Sequence, residues 1–158
     1  QAYFDELTHL HNRRYCMEEM QRIGEKKEDD VAIICFDVNN LKMVNDNLGH
    51  TRGDVLIKTA AQIIDKTFRE TGITGRIGGD EFIGIIRLKQ EKIKKILEDF
   101  ERNITEKNKE IDDFKISIAY GYALVGEIDD RNIERVYQLA DKRMYEKKKK
   151  MKEKEVKR

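Results

Sequence analysis

The stretch Arg76-Ile77-Gly78-Gly79-Asp80-Glu81-Phe82 lies between two short apolar runs and decides the fold predicted for this chain. Residues 73–77 before it and 82–88 after it are rich in β-branched side chains, which predicts two strands joined as a hairpin. A Gly-Gly pair allows positive φ at low steric cost, so we expect its glycines to form a tight turn. The two carboxylates that follow are therefore predicted at an exposed tip, beside backbone that a ligand can approach closely.

Another apolar run, residues 31–36, ends at Asp37. It does not alternate with polar residues, which is typical of a strand covered on both faces. Taken alone, Asp37 is as readily a solvated strand end as a functional group. The residues from Val38 to Lys42 are predicted to form a turn with several backbone N–H groups and one ammonium. A solvated strand end does not explain this cluster of Asp37 and Lys42.

Four helices and one further strand are predicted around these elements. Asn12 is expected to cap the first helix, the second runs from about residue 53 to 69, the third covers the apolar positions between 93 and 104, and the last begins near Ile133. Residues 115–125 are predicted as a strand, with Gly121 as a candidate bulge. The order predicts an α+β fold with a ferredoxin-like core, in which helices surround a central, mainly antiparallel sheet of about five strands.

The composition fits one soluble domain spanning residues 1–158. A chain of this length can bury a sizeable core, and no apolar run approaches the roughly 20 residues of a membrane span, so we expect no membrane contact by this domain. Cys16 and Cys35 lack metal-ligand spacing and are expected to be buried, reduced thiols of a cytoplasmic protein. Because the first residue is Gln1 rather than Met, we interpret the chain as part of a longer protein, and that parent protein can be membrane-anchored.

Charge is distributed unevenly along the chain. Residues 142–158 hold ten Lys/Arg against three Asp/Glu, whereas the remainder carries 22 basic and 28 acidic residues, a net charge of −6. An acidic body argues against a broad nucleic-acid surface, which leaves the basic tail from about 148 to 158 as the candidate patch. RNA-recognition domains share the ferredoxin-like core but place aromatic residues on the central strands. Asp37 and Asp80 stand there instead, so no nucleic-acid partner is expected.

Four separated motifs, spread over nearly the whole chain, resemble those of the GGDEF family, the diguanylate cyclases, which join two GTP molecules into cyclic di-GMP. They are the opening Asp5-Glu6-Leu7-Thr8-His9-Leu10-His11-Asn12-Arg13, the block 37–54, the signature Gly78-Gly79-Asp80-Glu81-Phe82 and the segment around Lys148. The resemblance implies the family's fold, elaborated from the palm-like core of nucleotidyl cyclases. It also implies a nucleotidyltransferase that releases two pyrophosphates for each cyclic di-GMP.

The same resemblance implies a metal site. Asp37, the Val38 carbonyl and Asp80 are expected to hold Mg²⁺ or Mn²⁺, two ions in each half-site, because such ions take carboxylates together with phosphate oxygens and water. Glu81 is expected beside them, either as a ligand or as a group that assists deprotonation of the attacking hydroxyl. Gly78 and Gly79 belong to the same catalytic turn.

The resemblance further implies where GTP binds. The backbone of Asn40 and Leu41 and the ammonium of Lys42 match the family's phosphate-binding positions. Asn45 and Asp54 match its guanine readers, and an Asp that accepts hydrogen bonds from guanine N1–H and N2–H₂ would discriminate against adenine. Without the family, Asn45 is equally a turn residue and Asp54 equally an acid at a helix N-terminus.

Two lysines near the C-terminus are expected to contribute to the GTP site. Lys148 lies four residues after Met144, so the inward stripe of the last helix, if continued, points it toward the core, where a γ-phosphate would pair with it. Residues 147–150 taken alone are more typical of a solvated, frayed helix end. Lys152 stands where the family has Arg and lacks its bidentate fork, so we expect weaker GTP binding.

The inhibitory site that many family members carry is expected to be degenerate here. Their Arg-x-x-Asp motif corresponds to Arg69 and Gly72, so the Arg is kept and the carboxylate is missing. A turn between helix and strand would favour Gly72 in any case. We therefore expect the product to inhibit this domain poorly.

Catalysis is expected to require a homodimer of domains, because each half-site holds one GTP. A module that binds GTP or cyclic di-GMP without turnover is the alternative. The intact signature Gly78-Gly79-Asp80-Glu81-Phe82 argues against this alternative, and the altered C-terminal motif keeps it open.

Overall fold

A computed structural model describes residues 2–156 as a four-stranded sheet with a layer of helices on each face. In chain order the elements are α1 (Arg13–Lys26), β1 (Val31–Val38), α2 (Leu41–Leu48), α3 (His50–Phe68), β2 (Gly72–Arg76), β3 (Glu81–Arg87), α4 (Gln90–Asn108), β4 (Ile118–Leu124) and α5 (Ile133–Val156), with a short 3-10 turn at Val125–Glu127. Within residues 2–156, no helix combines the length and the apolar character needed to cross a bilayer.

The strand order is β2-β3-β1-β4, and every neighbouring pair is antiparallel. The crossover from β1 to β2 passes over β3, and the crossover from β3 to β4 passes over β1, which is the ferredoxin-like arrangement. The predicted α+β class and mainly antiparallel sheet are confirmed, with four strands in the described residues where about five were expected. Because β3 pairs with β1, the C-terminal end of β1 lies beside the tip of the β2–β3 hairpin.

Strand β1 is buried along its whole length, as its uninterrupted apolar run predicts. Alternate side chains point to opposite faces of a strand, so Ala32, Ile34 and Phe36 pack with α3 and α4. Ile33 and Cys35 pack on the other face with α1 and α5. Asp37 continues this second row, and its side chain accordingly faces the layer that contains α5.

Both cysteines are buried free thiols, as predicted. Cys16 lies on α1 and Cys35 on β1, within the core on the α1 and α5 side of the sheet. Burial raises the pKa of the Cys16 thiol to about 12, and burial likewise raises that of Cys35. Neither thiol is therefore set up as a nucleophile.

Strand β4 and helix α5 approach each other closely. Ala119, Gly121 and Ala123 form the small-residue face of β4, and a Cβ at Gly121 would lie 2.2 Å from the backbone nitrogen of Met144. The candidate bulge at Gly121 is wrong, because the pairing of β4 with β1 runs without interruption. Gly121 instead removes the Cβ that would hold the α5 backbone away from the sheet.

Strand β4 is shorter than the predicted 115–125. Its first expected residues are tied to the end of α4, since the Asn108 side chain accepts a hydrogen bond from the Ile116 N–H at 2.7 Å and donates one to the Ile116 carbonyl at 2.9 Å. Val125 begins the 3-10 turn. The Asn108 hydrogen bonds replace strand pairing before β4, and the 3-10 turn replaces it after β4.

The segment after β1 differs from the predicted turn. Only residues 39–40 form a turn, and Leu41 opens the eight-residue helix α2. Asn40 takes a left-handed conformation, φ 71°, which asparagine tolerates better than most residues. Gly49, φ 91°, separates α2 from α3, which begins at His50 rather than near residue 53.

Candidate active site

The signature turn occupies residues 77–80, between β2 and β3. The Arg76 guanidinium holds the turn by donating hydrogen bonds to the carbonyl oxygens of Gly78 at 3.1 Å and Gly79 at 2.9 Å. The N–H of Ile77 donates to the Glu81 carbonyl at 2.9 Å and closes the hairpin. The path of the backbone into Asp80 and Glu81 is thereby fixed.

The two signature glycines do not need positive φ, contrary to the expectation. Among the described glycines only Gly49 has a left-handed conformation. A Cβ at Gly79 would meet no heavy atom within 4 Å, and one at Gly78 would lie 3.1 Å from a carboxylate oxygen of Glu81. Gly78 and Gly79 therefore leave bare backbone and free space beside the carboxylates, which agrees with the predicted close approach of a ligand.

The opening motif packs against the signature turn. Asp5 lies 3.3 Å from an Arg76 guanidinium nitrogen, and its carboxylate also accepts hydrogen bonds from the Thr8 N–H and hydroxyl at 2.9 and 2.8 Å. Arg13 donates to the Ile77 carbonyl at 3.3 Å. Sequence reasoning gave these side chains no part in the site. The available signal was the resemblance of the opening Asp5-Glu6-Leu7-Thr8 to a family motif, which did not show its partner.

Three carboxylates converge where β1 ends beside the hairpin tip. Asp37 stands directly across from Glu81 in the β1–β3 ladder, and the Val38 N–H donates to the Asp80 carbonyl at 2.8 Å. Asp37, Asp80 and Glu81 each offer a carboxylate oxygen, and these three oxygens lie within 4.8 Å of one another. Residues 43 positions apart in sequence are thus brought to one point, as predicted for Asp37 and Asp80.

Asp37 is the most enclosed member of this carboxylate cluster, with 9% of its side chain exposed. Its Oδ2 accepts a hydrogen bond from the Lys148 ammonium at 2.7 Å. Its Oδ1 is buried and has no hydrogen-bond partner. A buried carboxylate oxygen without a donor is costly, and a bound cation would satisfy it.

The cluster shifts the pKa values of its members. Burial, followed by the charge of Asp37, raises the pKa of Asp80, and the same two causes raise the pKa of Glu81. Burial of Lys148 works against its charged form, but the hydrogen bond that Lys148 donates to Asp37 and the charges of the three carboxylates outweigh it and raise the lysine pKa. The site therefore carries excess negative charge that one ammonium only partly neutralises.

These residues fit a divalent metal ion. Hard cations such as Mg²⁺ prefer carboxylate oxygens, the cluster offers three, and Asp37 Oδ1 lacks any other partner. Repulsion among the carboxylates would be relieved by the same ion. The chemistry of the donor set thus agrees with the Mg²⁺ or Mn²⁺ site implied by the sequence.

A cleft of about 540 Å³ opens beside Asp80 and runs along the start of α2 and the last turns of α5. Asn39 anchors the turn at its base, since its N–H donates to the Ser117 carbonyl at 2.8 Å. Many of the predicted GTP and metal residues line this cleft, together with several that were not predicted. The lining residues are Val38, Asn39, Asn40, Leu41, Lys42, Met43, Asp46, Asn47, Asp80, Lys148, Met151, Lys152 and Glu155.

Lys42 projects from the first turn of α2 with 90% of its side chain exposed. Its ammonium pairs with Asp46 at 2.7 Å, and this hydrogen bond and charge raise the lysine pKa. An exposed pair of this kind contributes little to stability. Lys42 is therefore a positive charge that can turn toward a ligand at low cost.

Asn45 and Asp54 do not line the cleft. Asn45 lies on α2 with its amide against Gly53, where a Cβ would come within 1.7 Å of the Asn45 Oδ1. Asp54 follows Gly53 on α3 and is exposed. The structure therefore brings the two side chains to neighbouring surfaces of packed helices, and their reading of guanine stays a prediction.

Helix α5 continues through the basic segment to Val156. The last two residues of the predicted basic tail, 157 and 158, lie outside the described residues. Lys148 is partly buried and faces Asp37, as the inward stripe predicts, and it is not part of a frayed, solvated end. Lys152 and Glu155 follow on the same helical face and line the cleft. The i, i+4, i+7 spacing from Lys148 is the signal that would have identified Glu155.

The degenerate inhibitory site is as sparse in the structure as in the sequence. Arg69 is exposed and pairs with Asp65 on its own helix. Gly72 begins β2, and a Cβ there would lie 2.0 Å from the Ile85 carbonyl oxygen. Close strand packing, rather than a turn conformation, is the reason for glycine at this position. Poor inhibition by product stays a prediction.

Comparison with known proteins gives consistent matches. The family model described as "Diguanylate cyclase, GGDEF domain" matches residues 2–154. Diguanylate cyclase DgcS of Shewanella oneidensis is 32% identical over 149 residues, and the match covers 92% of this chain and 49% of that protein. Probable diguanylate cyclase DgcT of Escherichia coli is 30% identical over 151 residues, covering 92% of this chain and 33% of that protein. The chain thus spans half or less of these relatives.

Solved structures show the same fold. The GGDEF domain of DgcB from Caulobacter crescentus, determined in complex with c-di-GMP, superposes with a TM-score of 0.82 at 24% identity and covers 94% of this chain and 91% of that one. The GGDEF domain of TpbB, also called YfiN, from Pseudomonas aeruginosa gives 0.79 at 26% identity, covering 94% and 90%.

Proposed function

This chain belongs to the GGDEF family, and from that membership we propose that it is a diguanylate cyclase domain, which condenses two GTP into cyclic di-GMP with release of two pyrophosphates. The observation that carries the proposal is the convergence of Asp37, Asp80 and Glu81 beside a cleft lined by Lys42 and Lys148. Carboxylates for a metal ion and ammonium groups for phosphates are what this chemistry needs in one place.

The reaction is an attack by a 3′-hydroxyl on an α-phosphate, in which positioning and charge neutralisation dominate. Asp37, Asp80 and the Val38 carbonyl would hold Mg²⁺ or Mn²⁺. When bound, such ions neutralise phosphate charge and favour ionisation of the hydroxyl. Glu81 completes the carboxylate cluster, and its raised pKa lets it hold a proton more readily than an ordinary glutamate.

The triphosphate is assigned to the cations and N–H donors of the cleft. Lys42 on α2 and Lys148 on α5 both line the cleft, Lys42 with an exposed ammonium and Lys148 with one that reaches the carboxylate cluster. The backbone of Asn40 and Leu41 contributes donors at the start of α2, where N–H groups lack helical partners. Lys152 adds a third positive charge on the α5 wall.

The guanine base is assigned to Asn45 and Asp54. What supports this is the contact of α2 with α3, in which the absence of a Cβ at Gly53 makes room for the Asn45 amide immediately before Asp54. An amide and a carboxylate on adjacent surfaces can accept from and donate to a guanine edge. An adenine edge offers no matching donor pair to the carboxylate.

Two domains must meet for the reaction, because each cleft accommodates one GTP and the product joins two. We therefore propose a catalytic homodimer of domains. Since GTP is a cytoplasmic nucleotide, we place the domain on the cytoplasmic side of any membrane to which its parent is attached.

A module that binds GTP without turnover is the second candidate. It is favoured by two features of α5, namely Lys152 in place of an arginine fork and the Glu155 carboxylate in the wall of the cleft. Both would weaken triphosphate binding without touching the carboxylate cluster. The two candidates differ in product, not in fold.

The deciding experiment incubates the domain with GTP and Mg²⁺ at high protein concentration and identifies nucleotides by chromatography and mass spectrometry. A cyclase yields cyclic di-GMP, and the Asp80→Asn variant yields none. Bound GTP that is recovered unchanged at every protein concentration would support the binding module and contradict the cyclase.

A further inference from the structure

The contact between Lys148 and Asp37 joins the last helix to the centre of the carboxylate cluster. The ammonium lies 2.7 Å from Asp37 Oδ2, with 24% of the lysine side chain and 9% of the aspartate side chain exposed. An ion pair this enclosed is screened less by salt and solvent than an exposed pair. It is therefore a defined feature of the nucleotide-free domain.

Within residues 2–156, Lys148 is the one cationic side chain that hydrogen-bonds a carboxylate of this cluster. Arg13 adds positive charge near Glu81 but donates its hydrogen bond to the Ile77 carbonyl. Lys152 lines the same cleft without a bond to Asp37. Only Lys148 thus occupies a carboxylate oxygen that the metal site would use.

We propose that Lys148 is a resident counter-ion that holds Asp37 until nucleotide arrives, so that a divalent cation binds well only together with the triphosphate. The inference rests on the proposed function, because it assigns the metal to the carboxylate cluster and phosphate to the cleft. It adds an order to that function: Lys148 would leave Asp37 for a phosphate oxygen, and the freed Asp37 carboxylate could then hold the ion.

The coupling follows from charge. A divalent cation entering the empty site must displace the ammonium from Oδ2 or tolerate it at close range. A triphosphate offers Lys148 another anion, so nucleotide binding removes the competitor. Because coupling free energies are reciprocal, a nucleotide that draws Lys148 away tightens metal binding, and bound metal tightens nucleotide binding by the same factor.

The geometry allows the lysine to move while the helix stays. Met144, one turn earlier, is buried against the sheet. One turn later, the Met151 sulfur accepts a hydrogen bond from the Asn39 side-chain amide at 3.7 Å. Both fix α5 on either side of Lys148. The lysine stem has four rotatable bonds, so the ammonium can swing from Asp37 into the adjoining cleft.

The test measures Mn²⁺ affinity of the nucleotide-free domain by electron paramagnetic resonance of free Mn²⁺. We expect weak binding by the wild type and binding about 10-fold tighter by Lys148→Met, which removes one charge-assisted contact. Lys148→Arg keeps the charge and should stay within about threefold of the wild type. Lys152→Met removes a charge from the same cleft without freeing Asp37 and should also change the affinity by less than about threefold.

Three outcomes would overturn the inference. One is equal Mn²⁺ affinity in the wild type and Lys148→Met. Another is an equal gain in Lys152→Met, which would show a general charge effect. A gain in Lys148→Met that survives added Asp37→Asn would also contradict it, because the metal would then lie elsewhere. Cyclic di-GMP formation by the wild type is scored separately, so failure of this inference is distinguishable from failure of the proposed function.

Discussion

Asp37 combines burial, a single ammonium partner and an orphaned oxygen, so the metal assignment depends on it most. Asp37→Asn and Asp80→Asn should each lower cyclic di-GMP formation by more than about 100-fold at saturating Mg²⁺. Replacing even a residue that only hydrogen-bonds a metal ligand typically lowers metal affinity or activity by roughly 10–100-fold. The control is Asp99→Asn on α4, a partly exposed carboxylate that pairs with Lys95 and Arg102 away from the cluster. Wild-type rates in either cluster variant would remove the metal assignment.

Asp80 should destabilise the metal-free domain. Its pKa is raised by burial and by Asp37, so the folded state binds a proton more tightly than the unfolded chain, and the penalty is present above the raised pKa and disappears as pH falls through it. Asp80→Asn should therefore raise the melting temperature in EDTA at pH 7, and its advantage over the wild type should shrink as the pH falls through the raised pKa of Asp80. A variant that melts below the wild type at pH 7 would contradict this electrostatic explanation.

Asp54 is exposed on α3, so its substitution should leave the fold unchanged and test base selection cleanly. Asp54→Ala should bind GTP about 10-fold or more weakly and lose preference over ATP, because a charge-assisted contact is removed. Competition binding with the two nucleotides measures both effects. Unchanged discrimination would show that guanine is read elsewhere.

Lys148 and the signature glycines show what sequence can tell about single residues. The position of Lys148 followed from helical spacing after Met144, whereas its partner in the absence of ligand, Asp37, depends on a strand 111 residues away. Gly78 and Gly79 were correctly placed at an exposed tip, but their backbone angles were not predictable. Neither glycine has a left-handed conformation, and only at Gly78 would a Cβ crowd Glu81.

Elements with a continuous apolar signal were predicted well. Strand β1, the β2–β3 hairpin, and helices α1, α4 and α5 lie where apolar patterning put them. Helix α2 was missed because polar residues separate its few apolar ones and its two flanking turns suggest a loop. The ends of β4 were missed because hydrogen bonds from Asn108 compete with strand pairing.

Glu155 on α5 places a carboxylate in the wall of the proposed triphosphate site. Glu155→Gln should tighten binding of a non-hydrolysable GTP analogue by about threefold, a size typical of partly screened charges. Glu153→Gln removes the same charge from the same turn but lies off the cleft, so it should change affinity less. Equal effects of the two variants in calorimetry would remove Glu155 from the site.

The topology of the molecule explains why distant motifs meet. Pairing of β3 with β1 sets Asp37 across from Glu81, and packing of α5 on β1 and β4 brings Lys148 to the same edge. Strand order and antiparallel pairing were predictable from the order of elements. The ion pair of Asp5 with Arg76 at the signature turn was not, because Asp5 lies in the irregular segment before α1, 71 residues from Arg76 at the end of β2.

In the proposed mechanism, the domain must pair with a second copy to act. The most direct measurement is cyclic di-GMP formation from GTP and Mg²⁺ over a range of protein concentrations, with the oligomeric state checked at each one. Product should form, and specific activity should rise with concentration, because two clefts must meet. Absence of product at every concentration, or a specific activity independent of concentration in a preparation confirmed to be monomeric, would contradict the proposed two-domain cyclase.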